Sequence, residues 1–177
     1  MTVTPKQKEL NKKVKDFLEK IVINVGLGRA SQQPNFEEKM LVQVMGDIAA
    51  ISGQKPQVRQ AHKSIAGFKI REGQTVGARS TLRGRRMVDF FERLITIVMP
   101  RVRDFTGITL TSVDEGGNLN IGFKEQYVFS EIIPEHSPVT FSLQVTIVPN
   151  VKNREAAMAA YRAFGVPLKK EVEPKRK

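Results

Sequence analysis

The sequence predicts a single α+β domain, a mostly antiparallel sheet with helices packed against one face and a long basic loop. Short segments alternate apolar and polar residues between turn residues, which is the pattern of half-buried strands. Longer segments carry apolar residues at helical spacing, and neither an internal repeat nor a linker divides the 177 residues. The face of the sheet that the helices leave uncovered would be free to bind a partner.

The predicted strands begin at residues 21–25, where isoleucine and valine occupy every second position. Val22, between them, is apolar too, so both faces of this strand are expected to be partly buried. Gly26 ends the strand, and a tight turn through Gly28 follows it. Further short strands or extended segments are expected, in chain order, at residues 56–61, 76–83, 108–110, 119–123, 127–129 and 141–147.

The first predicted helix spans residues 36–52, where apolar side chains recur at helical spacing. Asn35 with Glu38 three residues later predicts an N-terminal cap, and Gly53 is expected just past the end. Gly46 inside the helix costs about 1 kcal/mol relative to alanine, so we interpret it as a close packing contact.

Two further helices follow from the same spacing. One is predicted at residues 85–99, where apolar residues form a stripe along one side, and Pro100 is expected to stop this helix. The last helix begins after the capping residue Asn153 and runs to Phe164, where Gly165 ends it.

Composition excludes several classes of site. The chain has no cysteine, which rules out disulfides, thiolate zinc sites and cysteine nucleophiles. We interpret its two histidines, His62 and His136, as surface residues rather than ligands. No apolar run approaches the roughly 20 residues that span a bilayer, and the N-terminus lacks the pattern of a signal peptide. We therefore expect a cytoplasmic protein with no membrane partner.

Enzymatic chemistry has little support in the sequence. The turn at Gly26 and Gly28 has Ser31 where the dinucleotide fingerprint needs a third glycine, and the chain lacks the lysine–serine pair of a P-loop. The carboxylates that could form an acid–base pair fall mostly on helix faces or in turns: Glu37, Glu38, Glu92, Asp104, Asp114, Glu115, Glu125 and Glu131. We expect no catalytic residue, no metal and no cofactor.

The net charge of +11 predicts a polyanionic partner, although a basic protein without one is the alternative. Residues 55–86 hold most of the excess, because nine cations face the single acid Glu72 and leave a local charge of +8: Lys55, Arg59, Lys63, Lys69, Arg71, Arg79, Arg83, Arg85 and Arg86. Interleaved apolar residues are expected to hold these cations on a rigid face. A short basic N-terminal lead (1–19) and a basic C-terminal tail (169–177) are expected to be mobile. One alternative is that these two segments only make the protein more soluble.

The segment 52–86 has the composition of an RNA-binding surface. Its arginines and lysines can reach phosphates, and its Gln, Ser and Thr side chains can hydrogen-bond sugars and base edges. Its glycines let RNA approach the backbone. Phe68, beside Lys69 and near Arg71, can stack on an exposed base, although packing is the commoner role of a phenylalanine.

Six stretches of this sequence resemble the family of bacterial large-subunit ribosomal protein number five. They agree with the family in order and approximate spacing from about residue 20 to the last helix. The stretches are IVINVGLG (21–28), IAAISGQKP (48–56), KSIAGFKIREG (63–73), TLRGRRM (81–87), FFERLITIVMPRVRDFTGI (90–108) and GNLNIGFKEQYVFSEI (117–132).

The resemblance implies a non-enzymatic structural protein of the large ribosomal subunit that acts in translation. In this family the protein docks 5S rRNA onto the central protuberance and contacts 23S rRNA and neighbouring proteins of the 5S complex. It also touches a small-subunit head protein across an intersubunit bridge. Carried over by motif, a loop that faces the P-site tRNA would contain Lys69, Arg71 and Gln74. The 5S rRNA contacts would be Asn24, Gln54, Lys63, Thr81 and Arg83.

The chain departs from the family pattern in four places. A short lysine-rich lead stands where the family has an amphipathic N-terminal helix, and residues 28–40 are slightly longer than usual. Phe129-Ser130-Glu131-Ile132 replaces Phe-Pro-Glu-Ile, and the usual aspartate before the last strand is missing. We expect altered bridge or 23S contacts and an intact central RNA site. A free-standing RNA-binding regulator is a second hypothesis, and an enzyme acting on nucleotides is a third.

Overall fold

A computed structural model describes residues 5–169, although the side chains of residues 5–8 are not part of that description. Within this range one antiparallel sheet is formed in the order β2-β3-β1-β5-β4. Helices cover one of its faces, which confirms the predicted α+β class. The strands are β1 (Leu18–Gly26), β2 (Gln57–Gln60), β3 (Thr75–Leu82), β4 (Leu119–Phe123) and β5 (Leu143–Pro149).

The α-helices in the described part of the chain are α1 (Pro5–Phe17), α2 (Leu41–Ser52), α3 (Gly84–Arg93), α4 (Met99–Arg101) and α5 (Arg154–Ala163). A π-helical turn, Phe36–Met40, leads into α2, and a second one, Leu94–Val98, joins α3 to α4. Short 3-10 turns occur at Ala30–Gln32, Ala66–Phe68, Leu110–Ser112, Gln126–Val128 and Pro134–His136.

The core lies between the sheet and the helices. In β1 every second side chain is buried, and Ile21, Ile23 and Val25 are wholly inaccessible to solvent. Each such side chain contributes about 1.5–3 kcal/mol when it leaves water. Ile23 pairs with Val145 of β5 on the same face, so the apolar layer continues across the sheet. The period of two therefore decides which side of the sheet faces the core.

The N-terminal segment corrects one prediction. We expected a short mobile lead without the family's helix, and the structure has α1 there. Val14 and Leu18 are buried, and Phe17 packs edge-on against Tyr161 with ring centroids 5.5 Å apart. The lysines obscured this pattern, because they occupy the solvent side of a helix whose apolar stripe is narrow. Of the predicted C-terminal tail, residues 170–177 lie outside the described residues.

The start of α2 also differs from the prediction. Asn35 has a left-handed backbone (φ 60°) and makes no capping hydrogen bond, since a π-helical turn precedes the α-helix. Gly53 does end α2 in a left-handed conformation, as predicted. The proposed packing contact at Gly46 is wrong, because this glycine is exposed and no atom lies within 4 Å of an added Cβ.

Pro100 does not stop the second helix, because helical structure runs on to Arg101. The proline occupies the first turn of α4, directly after the π-helical turn, where a missing backbone N–H costs little. Asn153 caps α5 as predicted, and its side-chain oxygen accepts hydrogen bonds from the backbone N–H of Glu155 (2.9 Å) and of Ala156 (3.3 Å).

Two predicted strands are not part of the sheet. Ile108 forms only an isolated parallel bridge with Leu168, and Tyr127 lies in a 3-10 turn. The Tyr127 hydroxyl donates to the Ser137 carbonyl at 2.7 Å, so this segment packs against a loop instead of a strand. Short apolar runs do not distinguish a strand from a packed turn, which explains both errors.

Candidate RNA-binding surface

The face of the sheet away from the helices carries polar side chains, and we call it the open face. The polar character of this face results from the alternation in β1, where Asn24 is exposed between the buried Ile23 and Val25. β5 repeats the pattern, because Gln144 is exposed between two buried residues. The sequence thus produces an apolar side and a hydrogen-bonding side from the same strands.

One row of this face crosses all five strands of the described sheet. The strand registers align Gln57 of β2, Arg79 of β3, Asn24 of β1, Gln144 of β5 and Gly122 of β4. The row presents side-chain amides around one guanidinium. Such groups donate and accept hydrogen bonds at fixed positions, which suits the recognition of RNA shape rather than of charge alone.

The neighbouring row is uncharged. It aligns Thr81, Val22, Thr146 and Asn120 across β3, β1, β5 and β4. The Asn120 side-chain oxygen accepts from the Thr146 hydroxyl at 2.7 Å and from the Gln144 amide at 3.2 Å. These bonds lock the three side chains together. The open face therefore has a preorganised polar region over β4 and β5.

Arg79 lies at the centre of the open face. Its side chain is half-buried, and its Nε atom is buried without a hydrogen-bond partner among residues 5–169. A buried N–H without an acceptor costs about 1–3 kcal/mol. The adjacent Asn24 and Gln57 flank it in the same row. The half-buried guanidinium therefore lies between two side-chain amides, where its remaining N–H groups can bind an external acceptor such as an RNA oxygen.

Gln54 supports the open face from beneath. Its amide nitrogen donates to the Thr81 carbonyl at 2.8 Å and to the Ser80 hydroxyl at 3.1 Å. Its amide oxygen accepts from Arg86 at 3.4 Å. The residue is half-buried just after α2, so it ties the helix to β3 and orients Arg86.

Cations gather where β3 ends and α3 begins. Arg83 is exposed there, and its neighbours Arg85 and Arg86 are exposed too. The Lys20 ammonium, at the nearby end of β1, hydrogen-bonds Glu19 and holds the pKa of that carboxyl below its usual range. The positive charge of Arg83 lowers this pKa a little further. This edge can neutralise phosphates beside the polar rows.

The long basic loop joins β2 to β3 and has a folded tip, residues 65–70. Ile65 and Ile70 exchange both backbone hydrogen bonds, at 2.9 and 3.2 Å, around a 3-10 turn. Lys69 is held with a left-handed backbone (φ 52°), and its side chain, like that of Arg71, is exposed. Lys63 is exposed just before the tip. The loop therefore presents cations from an ordered scaffold.

Gln74 has a different setting from the other predicted loop residues. Its side-chain oxygen accepts from the Arg71 backbone N–H at 3.0 Å, and its nitrogen donates to the Ser31 hydroxyl at 2.8 Å. The residue is half-buried at the loop base. Its amide braces the loop on both sides, so its role as a tRNA contact stays a prediction.

The structure brings some of the predicted 5S contacts together. Asn24 and Thr81 lie in adjacent rows of the open face, and Gln54 bonds the Thr81 backbone. Arg83 follows directly after β3, whereas Lys63 belongs to the loop. Sequence reasoning did not assign site roles to Arg79, Asn120, Gln144 and Thr146. Each of them occupies a polar position in the alternating pattern of its strand. These positions form one site only when the strand order brings them side by side, and the sequence does not reveal that order.

Other kinds of site find no support within residues 5–169. In that range no three side chains of the usual metal-binding types come together as a group that could hold an ion. None of the helices in the same range is both long and apolar enough to cross a bilayer. His62 and His136 are both exposed, as predicted.

Comparison with known proteins agrees with the fold. Residues 15–71 match the family model described as ribosomal protein L5, and residues 75–168 match the ribosomal L5P family C-terminus. The chain is 44% identical over 153 residues to the large ribosomal subunit protein uL5 of Fusobacterium nucleatum, a match covering 86% of this chain and 81% of the relative.

Two further relatives have the same name. The chain is 48% identical to the protein of Rubrobacter xylanophilus over 86% of its own length and 82% of the relative. It is 43% identical to that of Chlorobaculum tepidum over 87% of its own length and 82% of the relative. Since both halves of the chain match and identity is high over most of the length, the chain belongs to the ribosomal protein L5 (uL5) family.

Proposed function

We propose that this protein is a structural component of the large ribosomal subunit that docks 5S rRNA onto 23S rRNA in the central protuberance. The single observation that carries the proposal is the five-strand polar row around Arg79 on the open face. The relatives, each named a large ribosomal subunit protein, support the ribosomal setting. The proposed role is non-enzymatic and belongs to the ribosome of the cytoplasm.

The chemistry of the proposed contact divides between two kinds of group. Asn24, Thr81 and the Arg79 guanidinium would hydrogen-bond ribose hydroxyls, base edges and phosphate oxygens of the folded RNA. Arg83 and its exposed neighbours would neutralise phosphates and release counterions. The sheet already holds the hydrogen-bonding side chains in place, so little conformational entropy is lost when RNA binds.

The basic loop is proposed to face the P-site tRNA. Exposed cations at Lys69 and Arg71 on an ordered tip support this, since they could approach a second polyanion without leaving the sheet. Contacts with 23S rRNA, with neighbouring proteins of the 5S complex and with a small-subunit head protein at an intersubunit bridge are proposed from the family resemblance. Because the segment 130–141 departs from the family pattern, the bridge contacts of this chain are expected to differ from those of the family.

A filter-binding titration tests the main proposal. The full chain should bind 5S rRNA at least tenfold more tightly than an unrelated RNA of equal length at the same salt concentration. Arg79→Gln should lower the affinity for 5S rRNA, and the control Arg162→Gln, an exposed cation of the helix α5, should leave it nearly unchanged. Equal affinity for the two RNAs would sink the proposal of specific docking.

Sedimentation of cell extract separates the ribosomal role from that of a free-standing RNA-binding regulator. A structural component should run with the large-subunit peak. A regulator should run mainly outside it.

A further inference from the structure

The turn after β1 holds the tip of the basic loop. The Gln32 side-chain nitrogen donates to the Phe68 carbonyl at 2.9 Å, across 36 residues of sequence. Nearby, a Cβ added at Gly28 would lie 3.7 Å from the Ile70 Cδ1 atom, so the Ile70 side chain packs directly over the turn. We propose that Gln32 is a positioning residue that clasps this tip and thereby sets the direction in which Lys69 and Arg71 are presented.

The tip has little else to hold it. Residues 62–69 are all exposed, and the Phe68 side chain keeps 69% of its surface accessible. Beneath the tip lies a groove of about 630 Å³, lined by Leu27, Met40 and Phe141 among others. The tip therefore spans open space rather than resting on a filled core. Burial alone contributes little to its position, so individual anchoring contacts carry weight.

The clasp itself is fixed to the domain. Gln32 ends a 3-10 turn in which the Ser31 backbone N–H donates to the Leu27 carbonyl at 2.8 Å. The Ser31 hydroxyl also donates to the Gly28 carbonyl at 3.0 Å and accepts from Gln74 at the loop base. Leu27 is buried, which connects the turn to the core. The loop is thus fastened at its base through Gln74 and at its tip through Gln32.

This inference rests on the proposed tRNA-facing role of the loop. Without the clasp the internal hydrogen bonds of the tip lose their external support, so they should open more often and let the tip swing while the rest of the domain stays folded. The cations would then be spread over many directions, and each would spend less time at one RNA contact. The clasp would supply preorganisation rather than a contact of its own.

Gln32→Glu tests the clasp, because it keeps the size of the side chain and replaces the donor with an acceptor. Gln33→Glu is the matched control, since it adds the same charge one residue later and the Gln33 side chain makes no hydrogen bond in the described chain. In Gln32→Glu, hydrogen exchange of the amides of residues 65–70 should become about three- to tenfold faster. Gln33→Glu should match the parent. Equal exchange in all three proteins would overturn the proposal.

A second measurement follows the direction of the tip. The chain has no cysteine, so Ala66→Cys gives a unique site for a tethered iron chelate in reconstituted ribosomes. With P-site tRNA bound, the parent should cleave a narrow tRNA segment, and Gln32→Glu should cut it several-fold less and over a wider region. Unchanged cleavage would overturn the clasp alone. An absence of tRNA cleavage by the parent would refute the tRNA-facing role, and the exchange data would still report whether Gln32 holds the tip.

Discussion

Asn24 and Arg79 face each other across the β1–β3 ladder, on the side of the sheet that the helices leave open. The next residue of β1, Val25, and its predecessor Ile23 are completely buried on the opposite side. Recognition and stability are therefore assigned to alternate residues of one strand. A pair of substitutions in that strand should separate the two properties.

Asn24→Val should lower the affinity for 5S rRNA by about 1–3 kcal/mol while changing stability little, because β-branched residues suit an exposed strand position. Ile23→Ala should instead destabilise the fold by about 2–5 kcal/mol, since it leaves a cavity in the core. Denaturant unfolding and filter binding of both variants provide the check. A large stability loss in Asn24→Val would show that this residue has a structural role that the open face does not explain.

Arg83→Ala should weaken 5S rRNA binding by about 1–3 kcal/mol if the rigid end of β3 makes a specific contact. Replacing Lys175, in the C-terminal segment beyond the described residues, should mainly reduce the slope of affinity against salt concentration, by about one ion or less. Titrations at several salt concentrations distinguish the two effects. Identical behaviour of the two variants would contradict the division between a rigid site and a peripheral charge.

Gln54→Ala should destabilise the fold by about 1–3 kcal/mol, because the Ser80 hydroxyl and the Thr81 carbonyl would each lose the hydrogen bond that the Gln54 amide donates to them. Thr81→Val, a matched change on the open face, should weaken 5S rRNA binding with a smaller effect on stability. Thermal unfolding and filter binding of both proteins test this distinction. If Gln54→Ala were as stable as the parent yet bound RNA poorly, Gln54 would be a direct contact rather than a support.

The strands were the most predictable part of the fold, for a physical reason. In residues 21–25 the period of two reports directly which side chains are buried, and the structure keeps that phase. The sequence could not reveal that β5 pairs with β1 and places Gln144 beside Asn24, because strand order depends on contacts between distant segments. The predicted site therefore covered one part of the open face and omitted β4 and β5.

The errors arose where local signals compete. Within residues 5–17 lysines outnumber the apolar side chains, yet Val14 and Phe17 pack α1 against the core. Asn35 has the residue type of a helix cap but adopts a left-handed backbone ahead of a π-helical turn. The loop around Lys69 was correctly predicted to be irregular and basic. Its folded tip accepts a hydrogen bond from a distant donor, Gln32, which no local pattern indicates.

Two glycines should respond in opposite ways to alanine. Gly46 lies exposed in the middle of α2 with open space around it, so Gly46→Ala should stabilise the protein by up to about 1 kcal/mol. Gly77 pairs with Gly26, and an added Cβ would come within 2.6 Å of the Val25 carbonyl oxygen. Gly77→Ala should therefore cost about 1–3 kcal/mol. Denaturant midpoints measure both, and a destabilised Gly46→Ala would reveal a contact that the structure lacks.

Tyr161 should make the stability of the fold sensitive to alkaline pH. Burial raises the pKa of its phenol well above the usual value, and the nearby Asp114 carboxylate adds to the rise. The neutral hydroxyl donates to the Gly117 carbonyl at 2.9 Å. A folded-state pKa above the unfolded value, about 10, gives a contribution that is complete below that pH and is lost as pH rises beyond it.

Tyr161→Phe removes the ionisable group and keeps the ring that packs against Phe17. At pH 7 the variant should be less stable by about 0.5–1.5 kcal/mol, the worth of one hydrogen bond. Above pH 10 the parent should lose stability faster, so the difference between the two proteins should shrink or reverse. Urea unfolding at pH 7, 9, 10 and 11 measures this difference directly, and lysine titration affects both proteins alike. Parallel stability curves over that range would mean that ionisation of Tyr161 does not oppose the folded state.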